Sequence, residues 1–278
     1  MATRFGHRGW VTVAIGALVI AGVGPAMVAS PVWAEGPEHA VTSDVELLTA
    51  QPIQALETAL GPVSGLAALV RHLTVGDPES TIEPRALGPE VALVQSRLDT
   101  LGFRPGPIDG TYGGQTYSAV LALQKHEGLE RTGLVDPITR AALAGLVASG
   151  PRDDLLGDRI EIDPARQIIF LVVGKDVSVI NTSTGNGEPY IRYNGATAIA
   201  RTPRGDFAIS QRYDGNQVGF LGTLYRPMYF SGPFAIHGSG SVPGYAASHG
   251  CARTSFDDMD FLWTVIAGDM QVYSYDRP

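Results

Sequence analysis

A single cysteine occurs in the 278 residues, and it stands in the run Ser248-His249-Gly250-Cys251-Ala252-Arg253. A second histidine, His237, lies upstream in Ala235-Ile236-His237-Gly238, at the end of an apolar run that reads as a strand. A free thiol is a poor nucleophile until it loses its proton. An adjacent imidazole or backbone donors can lower its pKa from about 8.5 toward neutrality. Two strand ends and a loop would bring Cys251 and His237 together, with His237 as the candidate base. Gly250 would let the backbone approach a substrate closely and adopt a conformation other residues resist. That geometry would also aim the peptide N–H groups around Cys251 at a developing oxyanion, a stabilisation of roughly 3 kcal/mol per donor. The chemistry these residues predict is acyl transfer through a thioester.

Two other readings of the same residues stand beside it. A lone cysteine can be a buried structural side chain. His237, His249 and Cys251 could in principle hold zinc, although His-x-Cys is not a usual ligand spacing and there is no second cysteine. A histidine such as His249 can also serve only to bond backbone and shape the loop.

Elements that deliver and position these residues follow from the rest of the chain. The length suffices for two compact domains, each with its own core. A formal net charge of −8 with few Lys/Arg runs argues against a nucleic-acid partner. Residues 1–34 read as an export signal: Arg4 and Arg8, an apolar run from Trp10 to Ala29, then Val32-Trp33-Ala34 as a cleavage site. The alternative is an uncleaved anchor, since the run approaches spanning length. After cleavage no membrane association is expected. Export sharpens the meaning of the cysteine, because an extracytoplasmic protein using cysteine structurally would carry pairs.

Residues 35–85 form a spacer, partly helical or disordered, in which Asp44 to Leu60 and Val63 to Leu73 have helix-like spacing around Gly61-Pro62. Residues 86–148 read as three short helices. Val91, Val94, Leu98 and Leu101 mark the first, and Tyr117, Val120, Leu121 and Gln124 the second. Asp136-Pro137 starts a third that should bury Ile138, Ala142, Leu143 and Leu146. Residues 149–157 form a linker around Gly150-Pro151. From 158 to 278 the texture becomes strand-like. Ile160 and Ile162 alternate with charged residues, Ile168 to Val173 is an unbroken apolar run, and Thr202-Pro203-Arg204-Gly205 is a turn. One helix is expected from Phe256 to Ile266 and a last strand at Met270 to Tyr275. The fold class expected is multidomain α + β, a small three-helix domain followed by a mainly β, sandwich- or barrel-like domain.

Within the helical stretch, Val94-Gln95 with Leu98, Leu101-Gly102-Phe103, Ile108-Asp109-Gly110-Thr111-Tyr112-Gly113, Thr116, Ala119-Val120, Leu123-Gln124 and Gly133 to Thr139 resemble the peptidoglycan-binding domain of bacterial wall enzymes. Taken singly, Asp109-Gly110 is a turn device, and Gln124 can simply bridge backbone groups. Further on, Ile236-His237-Gly238 followed by Ser248-His249-Gly250-Cys251-Ala252-Arg253 looks like the signature of the L,D-transpeptidases. Ser183-Thr184-Gly185 and Thr202-Pro203-Arg204-Gly205-Asp206-Phe207 fit the same family's pattern.

That resemblance implies Cys251 as nucleophile, His237 as general base and acid, and the Gly238 carbonyl as the group orienting the imidazole. It implies that Ser248, His249 and Gly250 build the pocket floor and oxyanion environment. Arg253 would hold a loop or pair with a substrate carboxylate. The interval from His237 to Ser248 is shorter than is usual in the family, which bears on the loop over the cleft and on acceptor preference. The reaction implied is a 3→3 cross-link between peptidoglycan stem peptides with loss of a terminal D-alanine, inhibited by carbapenem-type β-lactams acylating Cys251. No metal or organic cofactor is implied, and the partners are the stem peptides and glycan in the periplasm or cell wall. An L,D-carboxypeptidase using the same thiol and a non-catalytic wall-binding protein are the alternatives.

Overall fold

The computed structural model describes residues 75–275 except 78 and 147–149. The expected export signal (1–34) and most of the expected spacer (35–74) therefore lie outside the described residues. Three helices come first: α1 (Pro89–Thr100), α2 (Gly114–His126) and α3 (Pro137–Gly145). Pro89 opens α1 and Pro137 opens α3, where a missing N–H costs nothing. Asp136 caps α3 by accepting from Thr139 N at 2.7 Å. Val91, Val94 and Leu98 of α1 meet Val120 and Leu123 of α2 and Leu143 of α3 in one core.

Two buried amides close the loops between these helices. Gln95 Oε1 accepts from Asp109 N and Gly110 N at 3.1 and 2.9 Å, and Gln124 Oε1 accepts from Gly133 N at 2.9 Å. Ile138 departs from expectation, because it faces solvent. Arg140 takes the inward position instead. Its Nε donates to Ser80 O at 2.8 Å and its Nη2 pairs with Glu90 at 3.2 Å, so the segment before α1 folds over a guanidinium.

The strands are β1 (Arg159–Asp163), β2 (Ile168–Val173), β3 (Asp176–Asn181), β4 (Pro189–Ile191), β5 (Thr197–Ile199), β6 (Gly205–Ala208), β7 (Gln211–Arg212), β8 (Asn216–Gly219), β9 (Gly222–Ser231), β10 (Phe234–Gly238), β11 (Ala252–Thr254) and β12 (Gln271–Ser274). Between β11 and β12 lies α4 (Phe256–Val265), capped by the Ser255 hydroxyl. One sheet runs β3-β2-β1-β12-β6, with β1 and β12 parallel. A second runs β11-β10-β9-β7, with β8 also on β9, and β4–β5 is a separate hairpin. The architecture is thus the expected one, helices followed by a mainly β unit.

Alternation along β2 and β3 decides where the two units meet. Ile169, Leu171 and Ile180 point into the sandwich with Met228, Phe230, Ile236, Met259 and Leu262. Their neighbours Ile168, Phe170 and Val179 point the other way, into the core of the helices beside Leu98, Phe103 and Leu123. The Val179 N–H donates to Gly102 O at 2.9 Å, and the His126 ring sits edge-on to Phe103 and Phe170. Both units therefore share one hydrophobic core.

In β1 the charged positions are buried too, contrary to what alternation suggests. Arg152 and Gly157 lie against that face: Arg159 Nε pairs with Glu161 at 2.7 Å, its Nη1 and Nη2 donate to Gly157 O and Arg152 O, and Glu161 also accepts from Arg152 N.

Candidate active site

Parallel pairing of β10 with β11 sets Ile236 opposite Ala252 and His237 opposite Arg253. Ile236 and Ala252 are fully buried in the sandwich core, so side chains one position away emerge on the other face. That face carries His237, Arg253 and, immediately before β11, Cys251. Antiparallel pairing of Ala235 with Tyr229 adds the Tyr229 phenol to it.

His237 is buried, and its Nδ1 lies 2.9 Å from Gly238 O. A carbonyl can only accept, so Nδ1 carries the proton and Nε2 keeps its lone pair. Burial pushes the imidazole pKa down to about 4; the Gly238 contact raises it, and the Arg253 guanidinium lowers it further. The ring is neutral at pH 7.

Cys251 is the free thiol of the chain and is half-buried. Its sulfur lies 4.0 Å from Pro233 O. Burial pushes the thiol up, while the Ala235 N–H and the Arg253 guanidinium pull it down. The ordinary expectation of a thiol lowered toward neutrality is not met, because desolvation outweighs the two stabilising groups. At rest the thiol and the imidazole are both neutral and share one face of the sheet.

The turn before Cys251 is fixed by its own atoms. Ser248 Oγ donates to Cys251 O at 2.6 Å and accepts from Gly250 N at 3.0 Å. Its hydroxyl is buried in this role, and the Gly250 N–H is already committed. Gly250 has φ +132°, and a Cβ there would lie 2.4 Å from the Phe234 ring and 2.8 Å from Arg201 O. Only glycine fits.

His249 packs against Tyr190 at 5.0 Å between ring centroids, tying the β4–β5 hairpin to the turn. Among the described residues no cluster of three or more His, Cys, Asp or Glu side chains could hold a metal ion, so His237, His249 and Cys251 are not gathered as zinc ligands.

From beneath, Thr184 O accepts from Ala247 N and Ser248 N, and Asn186 N donates to Ser248 O. Thr202 Oγ1 accepts from Gly185 N at 3.0 Å. The Ser183-Thr184-Gly185 and Thr202-Pro203 segments are thus the floor on which the cysteine turn rests.

Comparison with known proteins gives this arrangement a family. A family described as the L,D-transpeptidase catalytic domain matches residues 157–273, and one described as a putative peptidoglycan-binding domain matches residues 88–143. The solved structure of an L,D-transpeptidase from Xylanimonas cellulosilytica is 42% identical, with a TM-score of 0.67 over 70% of this chain and 98% of that one. The chain belongs to the L,D-transpeptidase family.

Curated relatives match over shorter stretches. An N-acetylmuramoyl-L-alanine amidase, CwlM, of Mycobacterium tuberculosis is 36% identical over 28% of this chain, and a spore cortex-lytic enzyme of Halalkalibacterium halodurans is 40% identical over 23%. The chain spans 23% and 20% of those two proteins.

Sequence reasoning missed two residues at this candidate site. Tyr229 is one: burial raises its phenol pKa and Cys251 raises it further, which marks the two as neighbours. Gln167 is another, donating from Nε2 to Thr184 Oγ1 and accepting from Thr184 N at 2.7 Å. Strand register reveals the first. No local signal marks the second.

A cavity of about 180 Å³ opens elsewhere, between Gln95, Asp109 and Thr116 of the helical unit and Asp257 of α4. Neither Cys251 nor His237 lines it.

Proposed function

We propose that this protein is an exported peptidoglycan L,D-transpeptidase that forms 3→3 cross-links through a thioester on Cys251. The observation that carries the reading is a neutral imidazole, its Nδ1–H held by Gly238 O, on the same sheet face as the thiol. His237 Nε2 takes the thiol proton as sulfur attacks the carbonyl of the third stem residue. The oxyanion is held by peptide N–H groups around Cys251, on a turn shaped by Ser248, His249 and Gly250. His237 then returns the proton to the amine of the departing D-alanine, leaving a thioester.

An amine of a second stem attacks next. Nε2 removes its proton, the tetrahedral adduct collapses to the new amide, and the thiol is regenerated. Arg253 beside both groups supports binding of the donor's carboxylate and disfavours early protonation of His237. The helical unit would hold the enzyme on glycan or stems and raise its effective concentration at an insoluble substrate. Among the described residues no helix is long and apolar enough to cross a membrane. Action in the periplasm or cell wall is part of the proposal.

The test is incubation of purified residues 35–278 with tetrapeptide stems, followed by mass analysis. Cross-linked dimers with release of D-alanine are expected, and none from Cys251→Ser. Tripeptide monomers alone would mean that water intercepts the thioester, making the protein a carboxypeptidase. Intact mass after exposure to a carbapenem should show one adduct on the parent chain and none on Cys251→Ser.

A further inference from the structure

The loop that joins His237 to the cysteine turn, residues 239–247, does not satisfy its own backbone. Four successive carbonyls in it are each met from outside. Val242 O lies 3.5 Å from Asn181 Nδ2, Pro243 O 3.3 Å from Lys125 Nζ, Gly244 O 2.8 Å from Arg131 Nη1, and Tyr245 O 2.8 Å from Ser183 Oγ. Two of these donors come from the end of β3 and its continuation. The other two come from the helical unit. We propose that Lys125 and Arg131 are positioning residues through which the helical unit sets the shape of the 239–247 loop and, with it, the fit of the donor stem at Cys251. This rests on the transpeptidase reading above.

Lys125 sits at the C-terminal end of α2 and is 1% exposed. Its Nζ has three oxygens around it: Asn181 Oδ1 at 2.5 Å, Thr182 O at 2.7 Å and Pro243 O at 3.3 Å. Thr182 in turn donates from Oγ1 to Arg253 O at 2.7 Å, and Ser183 pairs with Arg253 through backbone in both directions. One Nζ thus touches the chain entering the cysteine turn and the strand that backs the chain leaving it.

Arg131 reaches across to Gly244, where the two backbones lie so close that a Cβ on Gly244 would sit 3.0 Å from Arg131 Cβ. From Gly244 the loop needs only three more residues to reach Ser248. A shift at residue 244 is therefore felt at the turn, which is itself pinned through Thr184 O. An apolar side chain at position 125 would fill the same space, but would leave three buried oxygens without a donor.

The test uses the full chain with Arg131→Ala, Arg131→Lys and Lys125→Met. Donor turnover should show KM raised about five- to twentyfold in Arg131→Ala with kcat within about threefold of the parent. Arg131→Lys should recover most of that loss. Lys125→Met should move KM in the same direction and further. Alkylation of Cys251 by iodoacetamide should stay within about twofold in all three, because the thiol and imidazole are untouched.

Hydrogen exchange provides an arm that needs no activity: amides of residues 244–248 should exchange at least tenfold faster in Arg131→Ala, with those of α1 unchanged. Unchanged KM and unchanged exchange in a folded Arg131→Ala would overturn the proposal. So would a fall in alkylation that tracks the fall in turnover. A parent chain that never turns over stems sinks the transpeptidase reading instead, and the exchange arm still judges the clamp.

Discussion

The roles proposed for His237 and Cys251 predict a response to pH, because burial moves their pKa values in opposite senses. With the imidazole pushed down to about 4, His237 stays unprotonated across the neutral range, as the proposed general base must. Acylation by a carbapenem should then be nearly flat from pH 6 to 8 and fall below about pH 5, as stopped-flow fluorescence or timed intact-mass measurements would show. Alkylation by iodoacetamide needs the thiolate, which burial disfavours, so its rate should climb with pH through 8 and beyond. A thiolate–imidazolium pair present at rest would instead make both profiles flat.

Stability carries the same signature. Unfolded histidine binds a proton near pH 6.5 and the buried ring does not, so the unfolded state holds more protons between about 4 and 6.5. Stability is full above that window and declines as pH falls through it. The loss reaches about 3 kcal/mol, and His237→Gln should flatten it in urea titrations at pH 7 and 4.5.

At the scale of elements, the cysteine turn is held in place from all sides, and Gly250 is where that is felt. Gly250→Ala must relieve a contact with the Arg201 carbonyl and the Phe234 ring at a φ that side chains resist. We expect carbapenem acylation to fall by at least a hundredfold and stability by about 1–3 kcal/mol, read by mass spectrometry and denaturant unfolding. Wild-type acylation in this variant would show that the turn relaxes freely.

The seam between α2 and α4 is the second element worth testing. Asp258 sits between Ser118 at 3.4 Å and Arg104 at 3.5 Å, and Arg104 Cζ lies over the Phe261 ring, 3.3 Å from its centroid. Arg104→Ala removes both the ion pair and the stacking. It should cost about 1–2 kcal/mol with little change in the thiol's alkylation rate.

Across the whole molecule, the helical unit is a wall of the enzyme as well as a ligand-binding attachment. Ile168, Phe170 and Val179 belong to strands of the mainly β unit, yet they are buried by α1 and α2. Burying each is worth roughly 1.5–3 kcal/mol, so uncovering three removes an amount comparable with the whole stability of an ordinary domain. Residues 150–278 expressed alone should be aggregation-prone, or melt about 10 °C or more below the full chain by circular dichroism. A soluble fragment with an unchanged melting temperature would show that the shared core matters little.

Much of this was legible in residue types. The thiol, the upstream histidine and the glycine before the cysteine announce their chemistry, because few other roles need those residues in that order. The helix start at Asp136-Pro137 was readable from local capping rules, and a helix from Phe256 to Ile266 was expected where one forms. Ile138 was misread because periodicity says which residues recur on one side of an element, not what lies against that side. Only the tertiary structure decided that Arg152 and Gly157 meet Arg159 and Glu161 of β1, that α2 covers the far face of β2 and β3, and that Lys125 and Arg131 reach a loop more than a hundred residues away in sequence. Such contacts pair groups with no local dependence on one another, and burial then decides the charge states of His237 and Cys251.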